Sequence, residues 1–213
     1  MGHSGMQNTE LVVKTIAQTA MDNEKYFCEL DAAAGDGDFG YSLARGFGKL
    51  LEDWDNMERS DPGTFLKKSG MTITSRIGGT SGPIWGTGFL RAGMVLGDKE
   101  NPTPDDVVAA LRSAIDGIKQ RGSADVGDKT LLDALVPAVD RLEESLKNGS
   151  DPSDALEAAA KQARESAEAT KGMVAQRGRA SYTGDRSRES VDAGAIGVAV
   201  MAEQISKAWK EAH

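Results

Sequence analysis

Residues 103–122 read TPDDVVAALRSAIDGIKQRG and carry a full set of helix signals. Thr103 supplies a capping hydroxyl, and Pro104 suits a first helical turn. Asp105 and Asp106 bring the negative charge that a helix start attracts. Arg121-Gly122 marks the end. The same punctuation recurs along the chain, with Asp61-Pro62 and Asp151-Pro152 opening helices over 61–78 and 151–172. Leu11, Val12, Ile16, Ala20 and Phe27 fall at helical spacing over 8–28, and further helices are expected over 41–58, 81–97 and 191–209. A helix over 128–149 has its apolar positions at Leu132, Leu135, Val136, Val139 and Leu142, with a kink expected at Pro137. Eight helices without a strand pattern predict one all-α domain over 1–213, with 1–8 as a flexible tail.

Composition narrows the function. Lys+Arg is 25 against Asp+Glu 33, a net charge of -8. Such a chain lacks the positive field that draws nucleic acid or an anionic membrane, so neither is expected as a partner. An anionic substrate then needs a local device, a metal ion or a few placed arginines. The one cysteine, Cys28, leaves no internal disulfide, fits a reducing compartment and reads as a buried thiol. No apolar run approaches the roughly 20 residues of a membrane span, and no signal-peptide pattern opens the chain, which makes the cytoplasm the expected location. The two histidines, His3 and His213, lie at the ends. Catalytic triads and histidine metal sites are therefore unavailable to the interior, and the chemistry must use carboxylates, arginines, hydroxyls and backbone amides.

Four stretches could carry that chemistry. In LDAAAGDGDFGYSLARGF, 30–47, Asp36 and Asp38 alternate in a glycine-rich turn and Asp31 comes from the preceding helix. Carboxylate oxygens in that arrangement suit Mg2+, whose coordination substrate phosphates complete; a solvated acidic turn is the plainer alternative. An EF-hand fails, since Gly40 at its sixth position puts Gly46 where a glutamate is needed. Asp38-Phe39-Gly40 spells the protein-kinase metal tripeptide, but only 37 residues precede it and no interior histidine can form the catalytic loop. In RIGGTSGPIWGTGF, 76–89, Gly78, Gly79, Thr80 and Ser81 at a helix start offer amides and hydroxyls to an anion; a glycine-lined helix crossing explains them equally well. AQRGRASYTGDRSRES, 175–190, sets Arg177, Arg179, Arg186 and Arg188, whose forks suit phosphate oxygens, in an irregular loop expected over 173–190, and by itself it reads more plainly as a solvated loop. RGSADVGDKT, 121–130, is glycine-flanked and weak by itself. Together they amount to a site for a Mg-nucleotide, where catalysis is mostly positioning and charge neutralisation.

The set of motifs resembles the L subunit, the nucleotide-binding domain, of dihydroxyacetone kinases. It rests on D-x-x-x-G-D-x-D-x-G at 31–40, RGF at 45–47, GGTSGP at 78–83, RGSADVGDKT, GRASYTG at 178–184, and Asp192 with Gly194. The resemblance implies an eight-helix antiparallel barrel with nucleotide at one end. Asp31, Asp36 and Asp38 would hold two Mg2+ bridging to the phosphates of ADP or ATP. Phe39, Gly40, Tyr41, Ser42, Thr80, Ser81, Gly122, Leu131, Arg179, Asp192, Ala193 and Gly194 would line the nucleotide, with Arg179 as a phosphate contact. Several members have histidine where this chain has Phe39. The family implies a separate K subunit that holds the ketose covalently on its own histidine, and the γ-phosphoryl group passes to that ketose. In one version ATP exchanges as a substrate; in the other, bound ADP is rephosphorylated by a phosphotransferase-system M subunit. A homodimer, a related ketose such as erythrulose, and a non-catalytic module acting on a transcription factor are further implied alternatives.

Overall fold

The computed structural model describes residues 3–213. These form α1 (Gly5–Asp22), α2 (Glu24–Ala32), α3 (Phe39–Glu52), α4 (Pro62–Arg76), α5 (Ser81–Leu96), α6 (Pro104–Gly122), α7 (Leu132–Lys147), α8 (Pro152–Ala169) and α9 (Ala193–Ala212). No strand occurs among the described residues.

The expected first helix is broken in two at Asn23, whose side-chain amide donates to the Thr19 carbonyl at 2.9 Å and whose backbone leaves the helical region. Residues 5–8, expected in a tail, are the first turn of α1. Ser4 Oγ accepts the Gln7 N–H, Gln7 Oε1 accepts the Ser4 N–H, and Asn101 accepts from Gly5. Residues 1–2 of that tail lie outside the described residues. The helix expected over 41–58 starts earlier, at Phe39, and stops at Glu52 before a short 3-10 turn, Trp54–Asn56. α7 continues through Pro137 as one helix.

Around the molecule, α1, α3, α4, α5, α6, α7, α8 and α9 each pack on the next, and α9 returns to α1. This closes the barrel, with α2 wedged between α3 and α9. Phe27, Leu43, Phe47, Leu50, Phe65 and Ile73 are fully buried in its interior. Small residues set the close crossings. A Cβ at Gly86 of α5 would lie 2.8 Å from the Gly70 carbonyl of α4, and Ala155, Ala159 and Ala163 line α8. The cap read at Thr103 is complete: Thr103 Oγ1 accepts the Asp106 N–H, and Asp106 accepts the Thr103 N–H at 2.9 Å. Thr103→Ala is expected to cost about 1 kcal/mol in urea denaturation.

Candidate functional site

The connections from α3 through α8 are short enough to reverse each helix relative to the one before, and the longer segment 170–192 returns to the end of α8, where the Asp192 N–H donates to Thr170 Oγ1 at 2.8 Å. The starts of α3, α5, α7 and α9 therefore gather at one end of the barrel. Contacts between them agree: a Cβ on Gly194 would meet Leu131 at 3.3 Å, one on Gly122 would meet Ile84 at 3.0 Å, and one on Gly197 would meet the Phe39 ring at 3.5 Å. Four helix starts add their positive ends there, which suits an anion.

At this end Asp31 closes α2, Asp38 precedes α3, and Asp36 lies between them. Asp31 Oδ2 accepts the N–H groups of Gly37 at 2.9 Å and Asp38 at 3.1 Å, folding the turn over itself. Gly35 has no room for a side chain, since a Cβ would sit 2.3 Å from Asp31 Oδ1. The result brings one oxygen from each of Asp31, Asp36 and Asp38 within 4.8 Å of one another. Three carboxylates so close repel unless a cation joins them, and an all-oxygen, partly exposed donor set fits Mg2+. Arg179, from the segment before α9, pairs with Asp36.

The other residues named from the sequence divide. Thr80 precedes α5 without a side-chain cap, and Gly78 and Gly79 face open space. The glycines farther along, Gly82 and Gly86, are buried at the crossing with α4. The glycine-lined crossing thus applies to the second half of 76–89, while the first half stands open at the start of α5. Gly40 is buried where α3 crosses α2. The Phe39 ring stands 6.0 Å from Phe27 and packs on the core, leaving the place of a polar side chain to an apolar one. The Tyr41 N–H points to Cys28 Sγ at 3.3 Å and the Ser42 N–H to the Asp38 carbonyl, while the Tyr41 ring is exposed. The Cys28 thiol, expected buried, is half-buried between α2 and α3.

Residues 173–190, expected as an irregular loop, contain a 3-10 stretch, Arg179–Glu189, interrupted at Gly184. Sequence reasoning passed over what holds it. Lys129 is 2% exposed and donates to the carbonyls of Thr170, Met173, Ser187 and Ser190. Asp133, also buried, accepts the N–H groups of Gly127 at 2.6 Å and Thr130 at 2.7 Å ahead of α7. Both fall in or beside the stretch 121–130, and a lysine in a polar turn gives no sign that it will be enclosed.

Asp192 caps α9 through the Ala195 N–H at 2.7 Å. Burial pushes its carboxyl up to about 7, against the Ala195 N–H and with the negative charge of Asp133 adding to the rise. Between about pH 4 and 7 the folded chain then holds a proton that the unfolded chain has lost, so this group's contribution to stability falls as pH rises through that window. Asp192→Asn, which keeps an acceptor for the cap, is expected to flatten that part of the metal-free stability profile. Melting temperatures of both proteins at pH 5 and pH 7.5 check it.

No described helix is long and apolar enough to cross a membrane. The DAK2 domain model matches residues 33–207. The chain is 39% identical to the ADP-binding subunit DhaL of the PEP-dependent dihydroxyacetone kinase of Escherichia coli, covering 88% of this chain and 89% of that one. It is 35% identical to an L-erythrulose 1-kinase of Mycolicibacterium smegmatis, across 94% of this chain and 35% of that enzyme. The crystal structure of the dihydroxyacetone kinase from C. freundii in complex with AMP-PNP and Mg2+ superposes with a TM-score of 0.72 at 28% identity. That match covers 92% of this chain, which spans about a third (33%) of the kinase. With the closed helical barrel and the DAK2 match agreeing over most of its length, this chain belongs to the DAK2-domain family, the nucleotide-binding domains of dihydroxyacetone kinases.

Proposed function

We propose that this chain is the nucleotide-binding subunit of a dihydroxyacetone-type ketose kinase. The observation that carries this is the cluster of Asp31, Asp36 and Asp38, faced by Arg179, at the end of the barrel where four helices begin. The three carboxylates hold two Mg2+, which neutralise charge on the phosphates of ADP or ATP. Thr80, Ser81 and the first amides of α5 take phosphate oxygens. Arg179, which pairs with Asp36 in the structure, would supply its guanidinium to a phosphate oxygen. Gly122, Leu131, Asp192, Ala193 and Gly194 lie along the nucleoside, with Gly40, Tyr41 and Ser42 beside the metals. Phe39 contributes its backbone, its ring being part of the core.

No histidine lies between His3 and His213. The ketose is held on a separate K subunit, and a hydroxyl of that ketose receives the phosphoryl group at the open end of the barrel. Choice between dihydroxyacetone and a ketose such as erythrulose rests with that subunit. The relatives that the chain matches along nearly nine tenths of their own length, in Escherichia coli and Listeria innocua, are named as ADP-binding subunits of PEP-dependent kinases. That supports the version in which ADP stays bound and is recharged by an M subunit.

The test is a reconstitution of this chain with a K subunit and dihydroxyacetone. Phosphoryl transfer is expected with phosphotransferase components and a trace of ADP, and not with free ATP alone. Turnover on ATP alone would reverse the choice of donor. Absence of transfer under both conditions, with Mg-ADP still bound, would favour a regulatory module instead.

A further inference from the structure

We propose that Lys129 is a positioning residue for the arginine segment, tying both ends of residues 170–190 to one buried ammonium and so setting where Arg179 meets the carboxylate cluster. Lys129 Nζ lies 2.6 Å from the carbonyls of Ser187 and Ser190, 3.0 Å from that of Thr170 and 3.3 Å from that of Met173. Three N–H donors match the three short contacts, and the fourth carbonyl shares one of them. Among the described residues no carboxylate forms an ion pair with Lys129, so carbonyl dipoles carry its charge. Burial lowers its pKa, which the negative charges of Asp192 and Asp133 oppose.

The backbone points the same way. Lys129 has φ +61, a left-handed conformation that a lysine adopts only when its surroundings enforce it. Nothing in the turn itself asks for lysine there; the four carbonyls do. Two of them, from Thr170 and Met173, follow the end of α8, and two, from Ser187 and Ser190, precede α9. The neighbouring Asp128 adds a second grip: its carbonyl accepts the Gln176 N–H at 3.0 Å and its carboxylate faces Arg177 at 3.4 Å. Within the segment, Ser187 Oγ accepts the Ala175 N–H at 2.9 Å and donates to the Gly184 carbonyl at 2.6 Å.

The segment is thus a strap pinned at its neck, with an exposed tip that carries Arg179 and a 91% exposed Tyr182. Residues 130 and 131 continue from the same lysine into α7, beside Gly194. The start of α7 is held separately by Asp133, which accepts the Gly127 and Thr130 N–H groups, so Lys129 fixes the strap that carries the arginine. Its action on ligand passes through Arg179, which separates positioning from a general packing role.

The binding arm of the test rests on the nucleotide reading above; the proteolysis arm does not. In ligand-free Lys129→Met, trypsin is expected to cut after Arg177 or Arg179 several-fold faster than in the parent chain, because a freed neck raises the open population. ADP affinity, measured by calorimetry with Mg2+, is expected to fall about tenfold in Lys129→Met and in Arg179→Ala, and about tenfold in the double variant. Adenosine affinity should stay unchanged in all three. Additive losses, equal losses for adenosine and ADP, or a strap as resistant as the parent's would overturn the proposal. If the parent chain binds no Mg-ADP, the functional reading fails and cleavage alone decides about Lys129. Should Lys129→Met not fold, Lys129→Gln, which keeps two donors, takes its place in the same cycle. If neither folds, Lys129 is a folding residue and the proposal is wrong.

Discussion

Asp36→Ala is expected to abolish Mg2+-dependent ADP binding while leaving the helical fold intact. Asp36 sits exposed in the turn between α2 and α3, and the side-chain partner found for it is Arg179. No helix cap and no core contact depends on it, in contrast to Asp31, whose carboxylate holds the turn together. Removing it takes away one of three anionic oxygens that converge within 4.8 Å, and affinity for a hard divalent ion follows the count of charged ligands. A ligand at a hundred times its Kd stabilises the folded state by about 2.7 kcal/mol. That gain should appear as a raised melting temperature for the parent chain with Mg-ADP and vanish in the variant. Circular dichroism should show unchanged helicity. An ADP affinity equal to the parent's in calorimetry would remove the site from consideration.

Gly40→Ala should damage stability and site together. A methyl group there would lie 1.9 Å from the Glu24 carbonyl and 2.8 Å from the Cys28 nitrogen, both backbone atoms of α2 that cannot turn aside. Alanine favours a helix over glycine by about 1 kcal/mol, and that gain opposes the clash. Forcing two helices apart in a packed interior costs about 1–3 kcal/mol or more, so the net effect is destabilising. The displaced parts carry the proposed site: Asp31 lies in the last turn of α2 and α3 follows Asp38. Guanidinium unfolding should show the lost stability, and Mg2+ titration in the presence of ADP a weakened midpoint. Unchanged values in both would mean that the crossing is not a tight one.

How much of this was legible beforehand varies with the range of the interaction. The starts of α4, α6 and α8 were read at Asp61, Thr103 and Asp151 and lie there, since a cap needs only residues within three positions. The break at Asn23 was missed because helical spacing continues across it while the polar side chain turns back on its own carbonyl. The cluster of three carboxylates was visible because their spacing within one turn is itself the geometry. Phe39 shows the limit of such spacing: its position in the motif gives no sign that its ring packs on the core.

By itself the amino-acid sequence determined an all-helical chain, the helix starts, the three carboxylates and the absence of an interior histidine. Each is a property of neighbours along the chain. Closure of the ring, the division of 76–89 into open and buried glycines, the pairing of Arg179 with Asp36, and the enclosure of Lys129 were decided only by the tertiary structure. Each depends on groups brought together from distant positions, and burial is a property of that packing rather than of the residue.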